Sequence, residues 1–101
     1  MPKKPIDFEA INRAALARSQ DILARWLPGG RLEGAEYVVK NPRRPDRHAG
    51  SFKINWRTGR WADWSCGDSG GDLIALAAYL HNLSQYEAAR SVAAMLGIDD
   101  G

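Results

Sequence analysis

Sulfur and imidazole are scarce in this chain of 101 residues, which has one cysteine, Cys66, and two histidines, His48 and His81. A lone cysteine excludes an intramolecular disulfide and points to a reducing compartment, so a cytoplasmic location is expected. No stretch approaches the roughly 18 consecutive apolar residues of a membrane-spanning helix. The opening Met1-Pro-Lys-Lys-Pro lacks the apolar core of a secretory signal. Internal repeats and low-complexity tracts are missing, and no carboxylate cluster is assignable to metal-dependent nucleotidyl transfer. What is present is the make-up of one ordinary globular domain, 45% hydrophobic and 26% charged. That is enough to bury about two-thirds of the unfolded surface around one core. Residues 1–101 are therefore read as a single domain.

The net charge of +2 is small but unevenly placed. Lys40, Arg43, Arg44, Arg47, Lys53, Arg57 and Arg60 share a short stretch with one acid, Asp46, for a local balance of +6, while the rest of the chain sums to −4. Gathering one sign of charge in one segment is the footprint of a polyanion site. Trp56, Trp61 and Trp64 fall in or beside the same stretch. Single-strand binders combine backbone-tracking cations with aromatic faces on which bases stack. The seven cations, with Trp61 and Trp64, are thus the candidate nucleic-acid contacts. The plainer alternative is a solvated loop with locally paired arginines, which the shortage of acids disfavours.

Periodicity divides the chain in three. Phe8, Ile11, Ala15, Ile22, Leu23, Trp26 and Leu27 recur every three or four residues after Asp7, a helix-capping residue, until Pro28-Gly29-Gly30 intervenes. Residues 1–30 read as a helical N-terminal extension in which Ser19 caps a second helix. Residues 37–39, 52–56 and 60–65 have strand composition, and the turn Arg57-Thr58-Gly59 makes the last two a hairpin within a β region spanning 35–66. Alternation puts Phe52, Ile54 and Trp56 on one face, with Lys53 and Asn55 on the other. It sends Trp61 and Trp64 to opposite faces, so at most one of them enters a one-sided core. Residues 70–98 read as two helices, the last opened by the capping box Ser84 and Glu87 and closed by Gly97. The expected fold class is α+β, a small three-stranded antiparallel sheet flanked by N-terminal and C-terminal helices.

Gly67-Asp68-Ser69-Gly70-Gly71 matches the nucleophile segment of trypsin-like proteases. Those enzymes need a far longer chain with a general-base histidine and a buried aspartate in fixed geometry. The segment reads instead as a turn into a helix capped by Asp68 or Ser69. Cys66 has no adjacent cation in sequence to activate it and reads as an inert small residue.

Asn41-Pro42-Arg43-Arg44 precedes Gly50-Ser51-Phe52. Asp63-Trp64-Ser65-Cys66-Gly67 follows the second strand of the hairpin, Gly70-Gly71-Asp72-Leu73-Ile74 opens an apolar helix, and residues 84–97 close the run. In this order of segments, residues 41–97 resemble the N-terminal zinc-binding domain of bacterial and phage DNA primases. That family carries a Cys-Pro-x-His pair in the first segment and a Cys-x-x-Cys-Gly pair in the second. Its four ligand positions fall here on Asn41, Arg44, Asp63 and Cys66.

The resemblance implies a zinc-ribbon-like fold in a degenerate form without metal or other cofactor, its hairpin packed by Trp56, Trp61 and Trp64. Such forms stand at the front of primases or primase-helicases of phages, plasmids and integrated elements. It implies a non-catalytic domain that engages a DNA template, single-stranded by preference, with any synthesis residing in another domain or chain. Implied partners are DNA and a primase polymerase, helicase or single-strand-binding protein. The alternative is a protein-interaction module that docks on such a partner.

Overall fold

Asp7 starts the first helix by accepting a hydrogen bond from the Ala10 N–H at 3.0 Å, which satisfies one of the free donors of a helix start. The computed structural model describes residues 6–44 and 50–98 and contains four helices and five strands. The helices are α1 (Phe8–Leu16), α2 (Ser19–Trp26), α3 (Leu73–His81) and α4 (Gln85–Leu96). Ser19 does not cap α2. It is the first helical residue, and its hydroxyl donates to the Trp56 carbonyl at 2.5 Å, tying α2 to the sheet. The capping box of Ser84 and Glu87 forms as read, and Gly97 ends α4 in the left-handed conformation.

The strands are β1 (Arg31–Glu33), β2 (Glu36–Val39), β3 (Phe52–Asn55), β4 (Trp61–Asp63) and β5 (Asp68–Gly70), paired in that order as one antiparallel sheet. The α+β class is as expected, but the sheet has five strands and not three. The two additions are edge strands of three residues each. β1 is exposed throughout and so has no apolar alternation to mark it. Gly34, at a φ of +61°, turns the chain from β1 into β2. β5 is Asp-Ser-Gly, poor in intrinsic strand preference, and is held by pairing with β4.

Gly70 is required where it sits. A Cβ there would come within 2.5 Å of the Trp61 ring, which lies across it. The glycine-rich run is thus the last strand of the sheet and not a turn entering a helix. The cap of α3 is Asp72, whose carboxylate accepts from Ala75 N at 2.8 Å, while Asn12 of α1 accepts from Ile74 N. Donors at this helix start are therefore taken up by side chains from within the fold.

Alternation assigns the two faces of the sheet. Tyr37, Val39, Phe52, Ile54 and Trp61 point inward to a core shared with Ile11, Leu23, Leu73, Ile74, Leu76 and Val92. α3 is buried on several sides, and α4 approaches the core through Ala88, Ala89 and Ala93. All four helices thus lie against one face of the sheet. On the other face Val38 is buried outside that core, while Glu36, Lys53, Asn55 and Ala62 are half-exposed.

Candidate nucleic-acid interface

The open face is built from the residues that alternate with the core. In register order these are Glu36 opposite Asn55, Val38 opposite Lys53, and Lys53 opposite Ala62, which faces Ser69. One step beyond the ladder at either end, Asn55 N bonds to Arg60 O at 2.7 Å and Trp64 N to Ser51 O at 3.0 Å, so Arg60 and Trp64 join the same face. Lys40, one residue past β2, has the same parity and is exposed. A groove of about 770 Å³ runs over this surface, lined by Lys53, Arg60, Trp64, Glu36, Asn55 and Ser69 among others. Trp64 is 77% exposed, the most open large apolar side chain among the described residues.

The nine residues singled out from sequence do not form one surface. Lys40, Lys53, Arg60 and Trp64 share the open face. Arg57 is exposed on a different side, its guanidinium 5.0 Å from the Trp56 ring centre, where both residues line a second groove with Arg18 and Asp21. Trp61 is 5% exposed and packs edge-on against Phe52 and beside Tyr79, so its ring offers no free face. Arg47 lies outside the described residues.

Arg43 and Arg44 are engaged within the fold. Arg43 donates to the Tyr79 carbonyl at 2.9 Å in the last turn of α3, where a cation is favoured, and lies 5.3 Å from the Tyr79 ring centre. Arg44 pairs with Asp68 at 3.2 Å. The separation has a simple cause, since β3 and β4 point alternate residues to opposite faces while residues 41–44 fold back toward α3.

That fold-back centres on a polar network. The Asn41 amide, 2% exposed, donates to Asp63 Oδ2 at 2.9 Å and to the Tyr79 hydroxyl at 2.8 Å. Tyr79 in turn donates to Asp68 Oδ2 at 2.5 Å, the carboxylate that also takes Arg44. Asp63, fully buried, accepts on Oδ1 from the Ser65 N–H at 2.9 Å and the Ser65 hydroxyl at 2.6 Å. Burial pushes the Asp63 carboxyl up, but hydrogen bonds from Ser65, Asn41 and Ser51 outweigh it and hold the group at about 2. The Tyr79 hydroxyl keeps Asp68 below the usual carboxylate range against burial, with Cys66 and Arg44 adding to the effect. Burial and the bond to Asp68 raise Tyr79. Arg44 is raised, first by a hydrogen bond with Cys66 and then by the Asp68 charge. Among the described residues, no buried side-chain nitrogen or oxygen lacks a partner.

Asn41, Arg44, Asp63 and Cys66 therefore converge, but they do not form a zinc site. A guanidinium and an amide are not zinc donors, and both Asp63 oxygens are already occupied. No group of three or more histidine, cysteine, aspartate or glutamate side chains is placed to hold a metal among the described residues. The hairpin is not packed by three tryptophans as expected. Of the three, only Trp61 takes a place in the fully buried core. Trp56 is half-buried at its edge, its indole N–H donating to the Gly34 carbonyl, and Trp64 faces outward.

Glu36, Asn55 and Ser69 on the open face follow from period-two alternation carried through every strand. Asp68 and Tyr79 carry no sequence signal for the network, because they are brought to Asn41 from 27 and 38 residues away.

No family model and no curated protein matches the sequence. Among solved structures, the fold is similar to a crystal structure of the Aquifex aeolicus primase containing its zinc-binding and RNA polymerase domains. The TM-score is 0.76 at 23% identity, over 95% of this chain and 23% of that one, so this chain spans under a quarter of that primase's length. The likeness takes in the N-terminal helices as well as the segment whose motifs pointed to it. The chain has a primase zinc-binding-domain-like fold.

Proposed function

We propose that this chain is a non-catalytic, template-engaging DNA-binding domain of a primase-type replication system, as carried by phages, plasmids and integrated elements. The observation that carries the reading is Trp64, 77% exposed beside Lys53 and Arg60 on a sheet face that no helix covers. An outward indole flanked by cations offers a stacking surface and phosphate contacts together, the combination single strands require. The likeness to a primase supports placing this face on a template strand. Among the described residues, Lys40, Lys53 and Arg60 outnumber the face's unpaired acid, Glu36, since Glu33 pairs with Arg31 at 2.5 Å. Catalysis of primer synthesis is assigned to another domain or chain.

The test is titration of labelled single-stranded and duplex DNA at two salt concentrations. Lys53→Glu/Arg60→Glu is expected to abolish measurable single-strand binding and Trp64→Ala to weaken it by roughly 1–3 kcal/mol. Binding that is unchanged in both variants would refute the reading.

A second reading, docking on a helicase, polymerase or single-strand-binding partner, is favoured by the edge strand β1. All three of its residues are exposed, including Leu32 at 51%, which leaves a free strand edge for main-chain pairing. Substitution of Leu32 to Lys separates the two readings, as it lowers partner binding and leaves DNA binding intact.

A further inference from the structure

The residues that the resemblance sets at the four ligand positions do not fit a metal, yet the two segments that carry them are joined by hydrogen bonds. Arg44, Asp68, Tyr79, Asn41, Asp63 and Ser65 form one continuous chain of hydrogen bonds. It links residues 41–44 to the end of β4, to β5 and to the last turns of α3. Each bridging group is used on both sides. The Asn41 amide gives its two protons to two acceptors, the Tyr79 hydroxyl accepts one and donates one, and Asp68 takes both a hydroxyl and a guanidinium.

We infer that this network takes over the mechanical task of a structural metal ion, pinning residues 41–44 and 63–68 together, and that the protein folds and stays folded with no metal bound. The reason is chemical. A tetrahedral zinc centre gathers four donors around a cation. Here the same positions bring a positive guanidinium, which repels a cation, and a carboxylate whose oxygens are already bonded. Two residues outside the four positions, Asp68 and Tyr79, complete the network. Asp68 neutralises Arg44, and Tyr79 bridges the two carboxylates through Asn41. Removal of a link should therefore act on the whole connection, because a buried partner left unbonded bears the full desolvation cost.

The experiment is thermal unfolding of the full chain with and without a strong chelator, alongside elemental analysis. The expected result is no stoichiometric metal and an unchanged Tm in chelator. Tyr79→Phe, which deletes one hydroxyl and keeps the ring, is expected to lower Tm by about 4–8 °C. Asn41→Ala should lower it further. The double variant should fall short of the sum, since both changes break the same link. Arg13→Ala, in an exposed pair with Glu9, serves as the control and should have little effect.

A second measurement reads the geometry. Asn41→Cys/Arg44→His/Asp63→Cys, with Cys66 retained, should take up about one zinc ion per chain and become sensitive to chelator. The inference is overturned by stoichiometric zinc in the natural chain with a chelator-dependent Tm, by a Tyr79→Phe variant as stable as Arg13→Ala, or by failure of the triple variant to take up zinc.

Discussion

Asp63 shows how much a single residue's surroundings decide. A carboxylate with no exposed surface is costly unless hydrogen-bonded, and this one is bonded by Asn41, Ser65 and Ser51 until it titrates near 2 and not at the usual 3.8. The groups facing it and the network beyond include the neutral Asn41, Ser51 and Ser65, with Tyr79, Cys66 and the Arg44–Asp68 pair further out. A folded value below the unfolded one means its contribution to stability is complete above about pH 4 and lost as pH falls toward 2. Urea midpoints measured from pH 6 down to pH 2.5 are expected to decline across that window. In Asp63→Asn the decline should be shallower, from a lower starting point. Trp64 is the opposite case. With 77% of its surface in water it contributes little to packing, so Trp64→Ala is expected to leave the unfolding midpoint unchanged within about 0.5 kcal/mol while weakening single-strand binding.

The secondary-structure elements differ in how they are held. α4 carries its own start and stop, the box of Ser84 and Glu87 and the left-handed Gly97, and was readable for that reason. α1 likewise announced itself through Asp7 and its apolar spacing. β5 has no such autonomy. Asp68, Ser69 and Gly70 form a strand because β4 pairs with them, Tyr79 and Arg44 hold Asp68, and the Trp61 ring lies over Gly70. Gly70→Ala is therefore expected to cost about 1–3 kcal/mol, read as a lower denaturant midpoint with an unchanged slope, because the added methyl must displace an indole that also donates to the Asp72 carbonyl. A midpoint equal to that of the natural chain would show that the ring gives way freely. Hydrogen exchange should find β1, exposed along its length, the least protected strand.

For the whole molecule, the division of the cations is what matters. A run of arginines and lysines in sequence is separated by the pleat and by the fold-back of residues 41–44 into cations that serve the structure and cations that face outward. Arg43→Ala and Arg44→Ala are expected to lower stability with little effect on the salt dependence of DNA binding. Lys53→Ala and Arg60→Ala should each reduce the slope of log K against log salt by about one and leave stability nearly intact. Equal slopes in all four variants would show that the two groups act as one patch.

By itself the sequence determined the existence of the helices and the caps of the first and last, the central hairpin and its inward face, the opposite orientation of Trp61 and Trp64, and the order of segments that resembles a primase domain. These are local properties, set by side-chain periodicity and by residues within four or so positions of one another. Only the tertiary structure decided the two edge strands, the parting of the cations and the network joining Asn41 to Asp63, Tyr79 and Asp68. Each of these depends on contacts between residues far apart in the chain, where pairing and burial outweigh the preferences of the residues concerned.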